Sequence, residues 1–394
     1  MLTPNPGGIL APDQVVGRDA LISLIWRRLE QQGVVLSAER RMGKTSILKK
    51  MEDSPPPGVL ARYYDLEAIH TPLEFVQAVT SQVESDLRTS EQIVRRMKEW
   101  YSRLPGIQIQ LASITILPQD VAPHWKEALE TLFSVLADQQ DQNVIFLWDE
   151  LPTMIDNIRR NASEAVAMEL LDTLRALRNR HPRLRMVFTG SIGLHLVLAV
   201  LRKSGHANPA TNDMYECDVP PLALSDAQML AKDLLANAGI QVLNPIATAA
   251  AIAQTVDGMP FFIHSVVEQL IQQGTQVDVS TIEAVVAAAL TDPHDRWQLG
   301  YYRERLDRYY VGDDRIIVLG VLDALAPTHL PLSVNDLHQL LLNQQSTSHT
   351  NRDRLLELLR LLARDHYLTR THDGRYSFRF PLIARAWLLH RGLS

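Results

Sequence analysis

Val34-Val35-Leu36-Ser37-Ala38-Glu39-Arg40-Arg41-Met42-Gly43-Lys44-Thr45-Ser46-Ile47-Leu48 is the stretch that decides how this 394-residue chain reads. A short apolar run comes first, then a polar loop, then residues that begin a helix. The loop ends in Gly-Lys-Thr and matches the pattern G-x-x-x-x-G-K-[ST], with Ala38 where the first glycine belongs. Such a loop works by turning backbone N–H groups inward around phosphate at a helix N-terminus. Gly43 lets the backbone approach closely, Lys44 is expected against the β- and γ-phosphates of ATP, and the Thr45 hydroxyl on Mg²⁺. Ala38 tolerates the geometry provided its φ is negative.

Upstream of this loop, residues 13–33 read as a polar turn followed by an amphipathic helix, with Asp19 as N-cap and Gly33 as its end. Downstream the pattern alternates. Strands are expected at 59–66, 144–148, 184–189 and 215–219, and helices at 72–87, 123–139 and 164–180. Period-2 apolar positions over 107–117, including Leu111 and Leu117, predict a small hairpin set between helices. Strands alternating with helices predict a parallel sheet covered on both faces. Within it, Val144-Ile145-Phe146-Leu147-Trp148-Asp149-Glu150 is an apolar strand ending in two carboxylates. Asp149 is suited to hold Mg²⁺ through water, and Glu150 to polarise an attacking water as general base.

From Ser225 to about Leu290 only helical patterns remain, and residues 292–312 read as a bridge rich in aromatic and charged side chains. Helices are then expected at 315–326, 334–342 and 352–363. A hairpin follows, with 367–370 and 375–378 flanking Asp373-Gly374. Three helices and a two-stranded wing predict a winged-helix domain. From Asp313 on there are ten Arg, no Lys and eight acidic residues, and Arg352, Arg354, Arg360, Arg364, Arg370 and Arg375 fall on the last helix and the wing. Arginine offers bidentate donors to phosphate, so duplex DNA is one candidate partner. The interspersed Asp353, Glu357, Asp365 and Asp373 leave a protein partner equally open. Phe378, Phe380, Leu382, Ile383 and Trp387 are expected to pack this domain.

Composition bounds these readings. A hydrophobic content of 46%, a charged content of 21%, a net charge of −6 and a pI near 6.1 fit an ordinary globular protein and exclude coating of nucleic acid or anionic membrane by bulk charge. The single Cys217 excludes an intrachain disulfide. The Pro- and Gly-rich residues 1–12 have neither a basic nor an apolar leader region, and no stretch reaches the roughly 18–20 apolar residues of a membrane span, so a cytoplasmic location is expected.

Taken together, Val16-Gly17-Arg18-Asp19, Arg40-Arg41-Met42-Gly43-Lys44-Thr45-Ser46, the strand ending in Asp149-Glu150, and Phe188-Thr189-Gly190-Ser191 resemble prokaryotic AAA+/STAND-type P-loop ATPases, relatives of the archaeal ATPase and origin-recognition initiator groups. The resemblance runs from residue 13 to about 275 and implies an α/β fold: a P-loop NTPase parallel sheet with a helical lid, then an all-α bundle and a winged-helix domain. It implies an N-terminal extension over 1–12, an ATPase core over 13–222, a lid over 223–292, a linker over 293–312 and a winged helix over 313–394. It also implies that Val16, Gly17 and Arg18 line an adenine pocket and that Arg41, Met42, Gly43, Lys44, Thr45 and Ser46 bind nucleotide. Thr45 and Asp149 hold the metal, and Glu150 and Lys44 act in catalysis with Thr189 or Ser191 as γ-phosphate sensor. By the same resemblance, Pro260, in Gly258-Met259-Pro260, is expected to contact nucleotide from the lid. One departure is plain: where many such lids carry an arginine, this chain has Phe261-Phe262-Ile263-His264. Arg175, Arg178, Arg180 and Arg185 are the alternative sources of an arginine for the γ-phosphate.

Two functions are implied. In one, ATP binding and hydrolysis form a molecular switch that positions the winged helix and so controls partner binding, with a homo-oligomer compatible. In the other, the chain is a nucleotide-gated DNA-binding protein in which hydrolysis is slow or incidental. A small-acceptor kinase ranks below both, since the lid and the winged domain offer no evident acceptor pocket.

Overall fold

The computed structural model describes residues 2–86, 107–110, 113–116, 124–139, 142–191, 193–203, 210–274, 276–328, 330–343 and 351–393. These residues group into two compact units. Ala11–Ser37 with Lys44–Val219 forms a sheet unit; the segment up to Leu10, Ala38–Gly43 and the residues from Pro220 onward form a helical unit.

The sheet unit begins with a 3-10 turn, Pro12–Gln14, and then α1 (Asp19–Leu29), β1 (Gly33–Ser37), α2 (Lys44–Asp53), β2 (Val59–Asp65) and α3 (Pro72–Asp86). An antiparallel pair, β3 (Ile107–Gln110) and β4 (Ser113–Ile116), is joined in the register Ile107↔Ile116. This is the expected hairpin; Leu111 and Leu117 lie outside the described residues. Then come α4 (Trp125–Gln139), β5 (Asn143–Asp149), α5 (Leu151–Asn161), α6 (Glu164–Arg180), β6 (Leu184–Phe188), α7 (Leu194–Lys203) and β7 (Met214–Asp218).

Five strands form one all-parallel sheet in the order β2-β5-β6-β1-β7. The continuous apolar runs of β1 and β5 are buried along nearly their whole length, as strands covered on both faces must be. Trp148 anchors the core. It is fully buried, edge-on to Phe75 at 5.1 Å between ring centroids and stacked on Phe188 at 6.0 Å. Burying each such side chain contributes roughly 1.5–3 kcal/mol.

Two details of the expected first helix differ. Arg18, not Asp19, is the N-cap residue of α1, and the helix ends at Leu29, so that Gly33 is the first residue of β1, paired with Met214. Asp19 sits in the first turn, where its charge still favours the helix dipole, and it pairs with Lys50 at 2.8 Å. That ion pair explains why its carboxylate is not folded back as a cap.

The helical unit holds α8 (Leu224–Asn237), α9 (Pro245–Thr255), α10 (Pro260–Gln273), α11 (Val279–Leu290), α12 (Gly300–Tyr309), α13 (Asp313–Leu325), α14 (Val334–Asn343), α15 (Arg352–Arg364), β8 (Leu368–Arg370), β9 (Tyr376–Phe378) and α16 (Pro381–Arg391). Caps set several starts. Asn244 accepts from the Ala247 amide ahead of Pro245 at the first helical position, Asp278 forms a capping box with Thr281, and Asn351 accepts from Asp353. β8 and β9 pair antiparallel in the register Leu368↔Phe378, and Leu332 bridges Tyr376 from the other side. Phe378, Phe380, Leu382, Ile383 and Trp387 are all buried. The stretch 293–312, read from sequence as a linker, contains the helix α12, which buries Tyr302, Arg305 and Leu306 on one face. Among the described residues, no helix is long and apolar enough to cross a membrane.

Candidate functional site

In the sheet unit the side chains of interest gather at the carboxyl ends of the parallel strands, where open α/β sheets place their ligands. Lys44 and Thr45 open α2, directly after the loop that follows β1. Asp149 closes β5, Glu150 begins the turn into α5, and Thr189 and Ser191 follow β6. Since β6 lies between β5 and β1, the sheet order fixes which of these can meet.

They do meet. The Thr45 hydroxyl donates to Asp149 Oδ2 at 2.6 Å, across 104 residues of sequence. Asp149 Oδ1 accepts from the Glu150 amide at 3.1 Å. Burial raises the Asp149 carboxyl above its ordinary value. The Thr45 hydrogen bond and the Lys44 charge pull it back, while Glu150 adds to the rise. Lys44 itself is only 8% exposed.

Glu150 is held firmly. Its Oε1 accepts from the Ser191 amide at 2.8 Å; its Oε2 accepts from the Ser191 hydroxyl at 2.9 Å and from the Thr153 hydroxyl at 2.7 Å. Its backbone is left-handed, φ 55°, which costs a non-glycine residue about 1–3 kcal/mol. Thr189 is 2% exposed, and its backbone joins the two strand ends through Thr189 N–H to Trp148 O and Leu151 N–H to Thr189 O. Among the described residues, its hydroxyl is buried without a hydrogen-bond partner.

Gly43, before Lys44, stands at φ 84°, and a Cβ placed there meets no atom within 4 Å. Ala38 is absent from the residues at positive φ, so alanine fits there without strain; Arg41, at φ 75°, occupies the left-handed region instead. Arg41 is half-buried in the helical unit, with its guanidinium 4.0 Å over the Phe261 ring and donating to Gln298 Oε1. Met42 is fully buried, and Ser46 is half-buried in the first turn of α2.

The segment Val16-Gly17-Arg18 enters α1 with Gly17 at φ 68° and Arg18 buried. Lys50 on α2 ties this segment down by donating to Val15 O at 2.9 Å while pairing with Asp19. Sequence reading missed Lys50, which belongs to no motif, and it missed Tyr63 on β2. The Tyr63 phenol is kept un-ionised first by burial and then by Asp149, to which it hydrogen-bonds.

In the helical unit, Gly258 at φ 66° accepts from the Leu222 amide, and a Cβ there meets Leu222 O at 2.8 Å. Gly258-Met259-Pro260 is therefore a turn that needs its glycine, with Pro260 at the first position of α10. His264 is 3% exposed, accepts at Nδ1 from the Asn5 amide, and is pushed down to about 4 by burial. Burial thus favours the neutral imidazole, unlike the always-charged arginine that the resemblance leads one to expect nearby. Of the alternative arginines, Arg178 is buried and committed to Asp213 at 2.8 and 2.9 Å and to Ala210 O at 2.8 Å, with Arg175 on the same carboxylate at 3.9 Å.

By sequence, no protein family and no curated protein matches the chain. By fold, it is similar to the Walker-type ATPase of Pyrococcus abyssi, with a TM-score of 0.66 and 17% identity over 97% of this chain and 99% of that one. It is also similar to the ORC2 protein of Aeropyrum pernix solved as ADPNP–ADP complexes, with a TM-score of 0.55 and 11% identity over 99% of this chain and 98% of that one. At these identities the likeness is one of fold. The chain has the P-loop NTPase α/β architecture, followed by a helical C-terminal region.

Proposed function

We propose that this chain binds ATP with Mg²⁺ and hydrolyses it slowly, as a molecular switch of the AAA+/STAND type whose nucleotide state governs a C-terminal winged helix and, through it, a partner. The observation that carries this reading is the 2.6 Å hydrogen bond between Thr45 and Asp149, with Lys44 buried beside it and Glu150 next in sequence. A hydroxyl and a carboxylate are hard oxygen donors suited to Mg²⁺, and the partnerless Thr189 hydroxyl and the open space before Gly43 accord with a phosphate-bearing ligand. When bound, Mg²⁺ neutralises charge on the β- and γ-phosphate oxygens.

The residues divide the work. Val16, Gly17, Arg18 and Pro260 are assigned to the nucleotide by resemblance, and the amides from Arg41 to Ser46 to its phosphates. Lys44 would hold the β- and γ-phosphates, and Thr45 and Asp149 would hold the metal. Glu150 takes a proton from the water that attacks the γ-phosphorus in line, and Thr189 and Ser191 read the γ-phosphate. Glu150 must first leave Ser191 and Thr153, and giving up those hydrogen bonds, each worth about 1 kcal/mol net, supports a slow turnover.

Calorimetry with ATP tests the binding half: Lys44→Ala is expected to abolish affinity, and equal affinity in wild type rejects the assignment. Phosphate release tests the other half, since Glu150→Gln is expected to bind ATP normally and stop turnover.

A second reading, nucleotide-gated binding of duplex DNA, draws on Arg352, Arg360, Arg364 and Arg370, which are exposed on α15 and the hairpin. Against it, Arg354 is bound by Asp314 and Glu357, and Arg375 by Asp373. Lack of duplex binding at low salt, with and without ATP, removes it.

A further inference from the structure

Glu39 lies inside the loop that leads to Lys44, at a position the motif leaves unspecified. Its carboxylate is wholly buried, and so is nearly all of the Arg305 side chain that meets it. The two engage fork to fork, Nη1 to Oε1 at 3.0 Å and Nη2 to Oε2 at 3.2 Å. Burial alone pulls the Arg305 guanidinium down, but Glu39 and then Tyr367 and Asp365 outweigh that and hold it firmly charged. Glu39 Oε1 also accepts from the Arg40 amide at 2.8 Å, so the same carboxylate shapes the loop's own backbone.

Arg305 spends its remaining donors elsewhere. Its Nε donates to the Tyr367 hydroxyl at 3.1 Å and its Nη2 to Asp365 O at 2.8 Å, just past the end of α15. Asp365 in turn accepts from the Tyr310 hydroxyl at 3.0 Å. The two next loop residues are gripped as well, with Arg40 over the Tyr301 ring at 4.5 Å and Arg41 over the Phe261 ring at 4.0 Å. Replacing a buried ion pair with apolar groups is often harmless to stability, so this pair is better explained by what it orients than by stability alone.

The geometry points to Arg305 as a positioning residue for the phosphate-binding loop, acting through Glu39 and tying the loop's shape to the chain between α15 and β8. This inference rests on the reading of residues 38–45 as an ATP-binding loop. A loop shifted by about 1 Å presents its amides wrongly, and misplacements of that size cost up to on the order of a hundredfold where geometry governs the interaction.

The test measures affinity for a non-hydrolysable ATP analogue by calorimetry, together with the thermal midpoint, on the full chain. Glu39→Gln and Arg305→Gln are each expected to weaken binding by about tenfold or more. The double variant is expected to be no weaker than the worse single, because both remove one interaction. Arg305→Lys is expected to recover part of the affinity. A lowered midpoint with unchanged affinity in either single variant overturns the assignment and leaves the pair a packing feature. Should a single variant fail to fold, the double, which strands no buried charge, is read the same way: weakened binding supports the inference and wild-type binding overturns it. Lys44→Ala separates the two levels. If it binds like wild type, the ATP reading falls and this inference with it; if it alone loses affinity, only the role of Arg305 falls.

Discussion

Asp149 at the end of β5 and Glu39 are buried, and Glu150 is half-buried, yet these carboxylates are satisfied in opposite ways. The hydrogen bonds to Asp149 and Glu150 come from neutral donors, the hydroxyls of Thr45, Thr153 and Ser191 and the amides of Glu150 and Ser191, while the Lys44 charge acts on Asp149 without a two-point clasp. Glu39 meets a full positive charge in a two-point clasp. Neutral donors can be exchanged for a cation without stranding a charge. An arginine clasp cannot, because parting it leaves two ions away from water. The first group therefore has the character of a site, and the second that of a strut.

Stability measurements can break this contrast. Arg305→Ala is expected to show the largest effect, a loss of about 3–5 kcal/mol, since it leaves Glu39 charged and buried without its counter-charge. A denaturant midpoint close to wild type contradicts the strut. Next comes His264, a buried group whose Nδ1 accepts from an amide. Its folded form is held near 4 against an ordinary 6.5, so below pH 6.5 the unfolded chain takes up a proton that the folded chain refuses. Stability is complete above pH 6.5 and declines as pH falls toward 4, by about 3 kcal/mol at about 1.4 kcal/mol per unit. His264→Gln is expected to flatten that decline in urea melts between pH 7 and pH 4; an unchanged slope shows that the histidine is solvated.

Much of the site was legible because its signals are local. Gly43-Lys44-Thr45 after an apolar strand, and the run from Val144 to Asp149, both announce themselves within a few residues, and the parallel sheet followed from the alternation of strands with helices, though its strand order did not. The hairpin around Asp373-Gly374 was equally local. What escaped notice depends on tertiary partners. Glu39 occupies an unspecified motif position, and its meaning lies 266 residues away in Arg305. The helix α12 was read as a linker because its buried face, Tyr302, Arg305 and Leu306, is partly charged and breaks the apolar period. The left-handed backbone of Arg41 has no local signature either, since arginine seldom adopts it. Asp19 had the residue type of a cap, but Lys50 claimed its carboxylate.

The site side of the contrast is sharpened by Asp149→Asn. Burial disfavours the charged form of Asp149 in the folded chain, so wild-type stability falls as pH rises through its elevated range, and asparagine removes that penalty. A gain of roughly 0.5–2 kcal/mol at pH 7, typical of relieving a functional site, is expected alongside lost Mg²⁺-dependent turnover. Destabilisation by several kcal/mol instead places Asp149 among the struts.

The smallest effect belongs to a surface clasp. Arg354 pairs with Asp314 and Glu357, but its side chain is 37% exposed, so water and salt screen what burial preserves at Arg305. Arg354→Ala is expected to lower stability by less than about 1 kcal/mol, and by less still in high salt. The same variant bears on the DNA reading. If duplex is bound, an arginine already engaged by two carboxylates contributes little to counterion release, whereas Arg360→Ala or Arg370→Ala reduces the slope of log affinity against log salt by about 0.9. A slope that drops with Arg354→Ala and holds with the other two reverses the assignment, and means that Asp314 and Glu357 release their arginine to phosphate.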